Sequence, residues 1–178
     1  YTCIKAEFDL SFTAETVTCD MPYGVIERPS LYPATKVVGA EALEDRVRKG
    51  SERAEPDRPM QMWLDFCDGE KGLAFLNDGK YGYDSTNEQV RLTLMRGPAI
   101  REGEVAGFGP FEFSYALLPH TGTWREAALP EMGYRFNRPL VALQTWSHAG
   151  ELPARSSLFS VSEQSVLITA VKKAELSN

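Results

Sequence analysis

Two histidines, three cysteines and no long apolar run set the first limits on this 178-residue chain. His120 and His148 cannot supply a histidine-rich metal centre, which needs three or four converging ligands. Cys3, Cys19 and Cys67 are an odd set without metal-ligand spacing, so no metal site is expected here and a reduced, cytoplasmic protein is. No stretch reaches the roughly 18 apolar residues of a membrane span, so no membrane partner is expected. Basic residues are in deficit, 19 Lys and Arg against 25 Asp and Glu. The net charge of −6 argues against a nucleic-acid partner or an anionic membrane surface, which require a basic face. An initial Met and a signal-peptide pattern are also missing: Tyr1 opens directly in a strand-like stretch, as expected of a piece of a longer polypeptide.

What is present has globular proportions, 43% hydrophobic and 25% charged. The length suits one sizeable domain over 1–178 and is too short for two large ones. Most segments have the period of strands. Met60, Met62, Leu64 and Phe66 alternate with Gln61, Trp63, Asp65 and Cys67, and Val90, Leu92 and Leu94 alternate with Arg91 and Thr93. Phe111, Phe113, Tyr115 and Leu117 fall on one face, expected to meet Leu92, Leu94 and Ile168. Leu140–Trp146 and Ser165–Val171 complete the set of expected strands. Glycine and proline punctuate these runs, and the pattern predicts an all-β antiparallel sandwich.

Two segments depart from it. Residues 40–58, rich in Glu, Arg, Lys and Ala, are expected to form an exposed insertion. Thr123 and Glu126 have capping-box spacing, and Pro130 is expected to limit the following helix to one or two turns before Asn137.

The stretch Gly72–Asp84, GLAFLNDGKYGYD, concentrates the chemistry. An apolar run is followed by Asp78-Gly79, a pair that tolerates the positive φ of a hairpin turn. Beyond it stand Lys80, Tyr81, Gly82 and Tyr83, with backbone open to close approach at Gly82. Carboxylates and amides pair with sugar hydroxyls, and aromatic rings cover the apolar faces of a pyranose. Asn77, Asp78, Lys80, Tyr81 and Tyr83 offer that inventory, with His120 in LLPHTG as a further polar candidate. Each has a plainer alternative: turn residues, a domain boundary, or a histidine that fixes backbone.

Taken with YGVIERPS (Tyr23–Ser30), RLTLMRGP (Arg91–Pro98), FEFSYALLPHTG (Phe111–Gly122) and FNRPL (Phe136–Leu140), the stretch resembles the C-terminal β-sandwich region of the family 38 glycoside hydrolases, the α-mannosidases. The resemblance runs from about Tyr23 to Glu175. It implies a supersandwich of the galactose mutarotase-like kind, with one or two short helical excursions. The full-length enzyme would be a retaining, zinc-dependent exo-hydrolase of terminal α-mannose, with nucleophile and zinc ligands in an N-terminal catalytic barrel. That barrel and an α-mannoside or oligosaccharide would be the partners, and the sandwich would lend a wall of the mannose pocket. No catalytic residue and no cofactor is expected in this chain, which alone should be inactive. The Asp-x-Gly-x-His run of many members is missing, since Gly107–Phe111 carries neither the acid nor the histidine. The rival reading is a sugar-binding or purely structural β-sandwich module with no part in catalysis.

Overall fold

The computed structural model describes residues 3–31, 57–96, 109–163 and 165–175. Alternating apolar and polar side chains give nine strands: β1 (Cys3–Asp9), β2 (Thr16–Met21), β3 (Gly24–Pro29), β4 (Arg58–Pro59), β5 (Trp63–Cys67), β6 (Lys71–Asn77), β7 (Gly82–Ser85), β8 (Gln89–Arg96) and β9 (Tyr115–Thr121). They form two antiparallel sheets. One has four strands in the order β1-β8-β7-β4, the other five in the order β3-β2-β5-β6-β9. The expected all-β sandwich is what the chain forms.

Side chains from both sheets make the main core. Val17, Cys19, Leu64, Phe66 and Phe75 from the five-stranded sheet meet Tyr83, Val90 and Leu92 from the other. The second face of the five-stranded sheet is also covered. Trp63, Ala74 and Leu76 are buried beneath Leu129, with Trp124, Met132 and Phe136 around them. Two buried faces explain why β5 and β6 are apolar almost throughout. Burying a side chain the size of Phe66 or Phe75 contributes about 1.5–3 kcal/mol.

The covering helix, α1 (Leu129–Asn137), begins where the sequence seemed to forbid it. Pro130 stands in its first turn, where no intrahelical donor is required, so it starts the helix and does not interrupt it. The Thr123–Glu126 box does form: Thr123 N donates to Glu126 Oε2 at 2.8 Å and Glu126 N to Thr123 Oγ1 at 3.4 Å. It closes a separate turn ahead of α1, with Ala127 N on Thr123 O at 3.0 Å.

Three strand assignments need correction. Gly72–Asp84 is not a hairpin: β6 pairs with β5 and β9, β7 with β4 and β8, so the chain changes sheets between Asn77 and Gly82. Asp-Gly chemistry did report the turn, since Gly79 has φ +129°, but it says nothing about where the next strand pairs. Secondly, Tyr115 and Leu117 stay well exposed on β9, an edge strand, and Phe111, also exposed, precedes that strand. Tyr115 meets Phe8 edge-on at 5.8 Å, while Ala116 and Leu118 are the β9 residues packed under the helix. Thirdly, Leu140–Trp146 and Ser165–Val171 form no strand: a strand needs a partner for its backbone groups, and neither segment has a ladder among the described residues. Of the 40–58 excursion only Asp57 and Arg58 are described, and Arg58, buried in β4, donates to Pro29 O and Ser30 O.

Contacts divide the chain into Tyr1–Pro139, which holds all nine described strands and α1, and Leu140–Asn178. The described part of the second unit has neither helix nor strand and exposes Leu140, Val141, Leu143 and Trp146.

Candidate functional site

The link between β6 and β7 is held from below by Asn77. Its Oδ1 accepts Gly79 N at 2.9 Å and Lys80 N at 2.7 Å, an Asx turn that fixes the next three residues. Its Nδ2 donates to Gln61 O at 2.5 Å, and its own carbonyl receives Asn137 Nδ2 from the end of α1 at 2.9 Å. Asn77 is 1% exposed, and its polar groups are spent inside the fold. Asp78 clamps the start of β9: Ser114 N donates to its Oδ1 at 2.9 Å and Asp78 N donates to Ser114 O at 3.2 Å.

Lys80 and Tyr81 come out differently. They line a cleft of about 380 Å³ together with Asp57, Thr93 and Arg96, a size within the small-molecule range. The Lys80 ammonium lies 4.8 Å from the centre of the Phe113 ring and has no carboxylate partner among the described residues. Tyr81 accepts Met60 N on its carbonyl at 2.9 Å and is 58% exposed as a residue. Gly82 admits a close neighbour, as its sequence position suggested, but the neighbour is Thr93: an added Cβ would stand 3.1 Å from that side chain.

Charges converge on the same side of the four-stranded sheet. Lys5 Nζ bridges Asp57 Oδ1 and Asp84 Oδ2, while Arg91 Nε pairs with Asp84 Oδ1. Thr93 Oγ1 donates to Asp57 Oδ1 at 3.0 Å, and Arg96 Nη1 stands 3.9 Å from Asp57 Oδ2. Burial alone would lower the Lys5 pKa, but the hydrogen bonds and charges of Asp57 and Asp84 outweigh it and raise the ammonium above the usual lysine range.

Tyr83 and His120 lie elsewhere. Tyr83 is fully buried between the sheets, its hydroxyl 3.4 Å from Arg28 Nη1 and 3.8 Å from Cys19 Sγ, and burial pushes its phenol upward. His120 Nε2 is 2.8 Å from Asp65 Oδ1, on the face covered by α1. The imidazole lies against Gly72, where an added Cβ would come within 2.3 Å of it. Desolvation raises the Asp65 carboxyl above the usual range, and His120 only partly offsets it. Of the residues singled out from sequence, the fold therefore brings Lys80 and Tyr81 together and separates Tyr83 and His120 from them. Asp57, Lys5 and Thr93 were missed. Lys5 and Thr93 are cross-strand partners at polar positions of their strands, but Lys5 and Asp57 are 52 residues apart and no local signal joins them.

A profile described as the glycosyl hydrolases family 38 C-terminal domain matches residues 2–101. The chain belongs to glycoside hydrolase family 38. Within this family 38 domain the matched part carries β1 to β8 and every charged group of the cleft. The chain is 33% identical over 175 residues to "Alpha-mannosidase 2C1" of Homo sapiens, covering 98% of itself and 15% of that protein. It is 25% identical over 169 residues to "Alpha-mannosidase G" of Dictyostelium discoideum, covering 91% of itself and 14% of the relative. The crystal structure of an alpha-mannosidase from Enterococcus faecalis V583 shares the fold, with a TM-score of 0.59 at 22% identity over 84% of this chain and 16% of that one. The chain thus spans about 15% of the length of the curated relatives it matches. No helix among the described residues is long and apolar enough to cross a membrane.

Proposed function

We propose that this domain packs on the catalytic barrel of an α-mannosidase-type glycoside hydrolase and lends the Lys80–Tyr81 cleft as one wall of the mannose pocket. The observation that carries this reading is the contrast within the β6–β7 link. The Asn77 side chain is consumed by the fold, whereas Lys80, without a carboxylate partner among the described residues, and the exposed Tyr81 line an open cleft. An ammonium can donate to sugar hydroxyls, and an exposed ring can cover an apolar sugar face. The relatives' names supply the substrate class, an α-mannoside. The full-length enzyme would be the retaining, zinc-dependent exo-hydrolase that the resemblance implies. Among the described residues no three His, Cys, Asp or Glu side chains converge, so this donor set does not fit zinc, and the resemblance assigns the ligands to the barrel.

The competing reading, a sugar-binding or structural module, draws on the buried roles of Asn77, Tyr83 and His120. Lys80→Ala and Tyr81→Ala in the full-length enzyme separate the two. The pocket reading expects kcat/KM on an aryl α-mannoside to fall roughly 10-fold or more, about 1.4 kcal/mol, with melting temperature unchanged. Unchanged kcat/KM per folded molecule in both variants would leave the structural reading standing.

A further inference from the structure

We infer that Asp57 is the hydroxyl acceptor of this cleft, positioned by Lys5 and the buried Asp84, and that it takes a neutral pyranoside presenting adjacent hydroxyl groups. The inference rests on the cleft facing substrate, and it adds a residue that no motif of the sequence points to. Asp57 is unusual in how its two oxygens are used. Oδ1 is saturated by Lys5 Nζ and Thr93 Oγ1. Oδ2 receives no hydrogen bond from the described residues, and the one charged neighbour it has among them, Arg96 Nη1, stands at 3.9 Å, beyond hydrogen-bond reach. One oxygen is tied down, and the other is left unbonded by the described residues on a side chain that lines the cleft.

The tether is built to hold that orientation. Lys5 would swing freely on its four-carbon stem, but its ammonium is anchored on Asp84, which is 1% exposed and held in turn by Arg91. Asp84 sits on β7, Arg91 on β8 and Lys5 on β1, so three adjacent strands fix the position of one carboxylate. Gly82 completes the device, because any side chain there would press on Thr93 and disturb its bond to Asp57. A fixed carboxylate oxygen beside the Arg96 cation, in a cleft that Lys80 also lines, matches two neighbouring hydroxyls: it accepts from one while a cation donates to the other. A single-sign anion would meet the Asp57 carboxylate at the same point.

The test is a set of aryl α-mannosides, each lacking one ring hydroxyl, given to the full-length enzyme and its variants. For the wild type, removal of one particular hydroxyl should lower kcat/KM about 10-fold or more. Asp57→Asn should lower kcat/KM on the parent mannoside and show little further loss when that same hydroxyl is removed. Lys5→Met should raise KM more than it lowers kcat, and Lys5→Arg should restore most of the loss. A folded Asp57→Asn enzyme with wild-type kcat/KM and the wild-type analogue profile overturns the inference. If Asp57→Asn does not fold, Asp57→Glu moves the oxygen by one methylene, and an unchanged analogue profile in that variant overturns it equally. Lys80→Ala and Tyr81→Ala in the same assay separate this idea from its premise. Losses there with Asp57→Asn unaffected defeat only the role of Asp57, and no loss in any of the three defeats the cleft as a substrate wall.

Discussion

Lys80 and His120 both looked like chemistry in the sequence, and the fold treats them in opposite ways, one at an open cleft and the other paired with a buried carboxylate. At the cleft, the backbone is fixed by Asn77 and the polar side chains are left over. His120 and Asp65 are instead buried against each other, and His120 Nδ1 is buried without a partner among the described residues. A perturbed carboxyl is thus not by itself the mark of a site. Asp65 titrates high because it is desolvated, and nothing can reach it. Access separates the two regions more clearly than charge does.

The sharpest way to break the comparison is to cut the residue that joins its two halves. Asn77 supports the cleft turn with its side chain and receives α1 on its carbonyl. Asn77→Ala leaves Gln61 O, Gly79 N and Lys80 N without their partner, and should cost about 4 kcal/mol in denaturant unfolding, with cleft function lost as well. Next in size is Gly72→Ala, which touches only the sealed region. Its Cβ would collide with the His120 imidazole and push it off Asp65, a loss of about 3 kcal/mol with kcat/KM per folded molecule unchanged.

Smaller effects sharpen the contrast. The Asp65 carboxyl is raised in the folded state, so folding favours its protonated form. That contribution is full below the unfolded pKa and is lost as pH rises through the raised value. Compared with Asp65→Asn, the wild type should therefore be relatively most stable in acid and lose ground on going from about pH 3 to about 7, read as melting temperatures of the two proteins. The smallest stability change belongs to the open region: Tyr81→Ala should alter unfolding free energy by less than about 0.5 kcal/mol, because the residue is mostly exposed.

The sequence made some of this legible and concealed the rest for identifiable reasons. Leu64, Phe66, Val90 and Leu92 alternate with polar or outer-face residues, and alternation is a direct record of one face meeting a core. Lys80 and Tyr81 could be picked because turn chemistry marked them as surface. Asp57 could not, since its meaning comes from Lys5 and Thr93, which only the strand register brings to it. The switch of sheets after Asn77 was hidden because a turn residue specifies backbone angles and not the identity of the next partner. Pro130 misled for a similar reason: its effect depends on whether it stands in a helix's first turn or its middle.

The pairing of β1 with β8 has a consequence for how the chain is made. Asp9 and Gln89, cross-strand neighbours, are eighty positions apart, and β8 is the sole ladder partner of β1 among the described residues. A ribosome adding residues at roughly 5–20 per second needs about 4–16 s to cover that interval. Throughout that time β1 is a nascent strand with both edges open, carrying Phe8 without a core to enter. The Lys5 and Glu7 charges within it are then the features that keep the waiting strand from pairing with its neighbours on the same message.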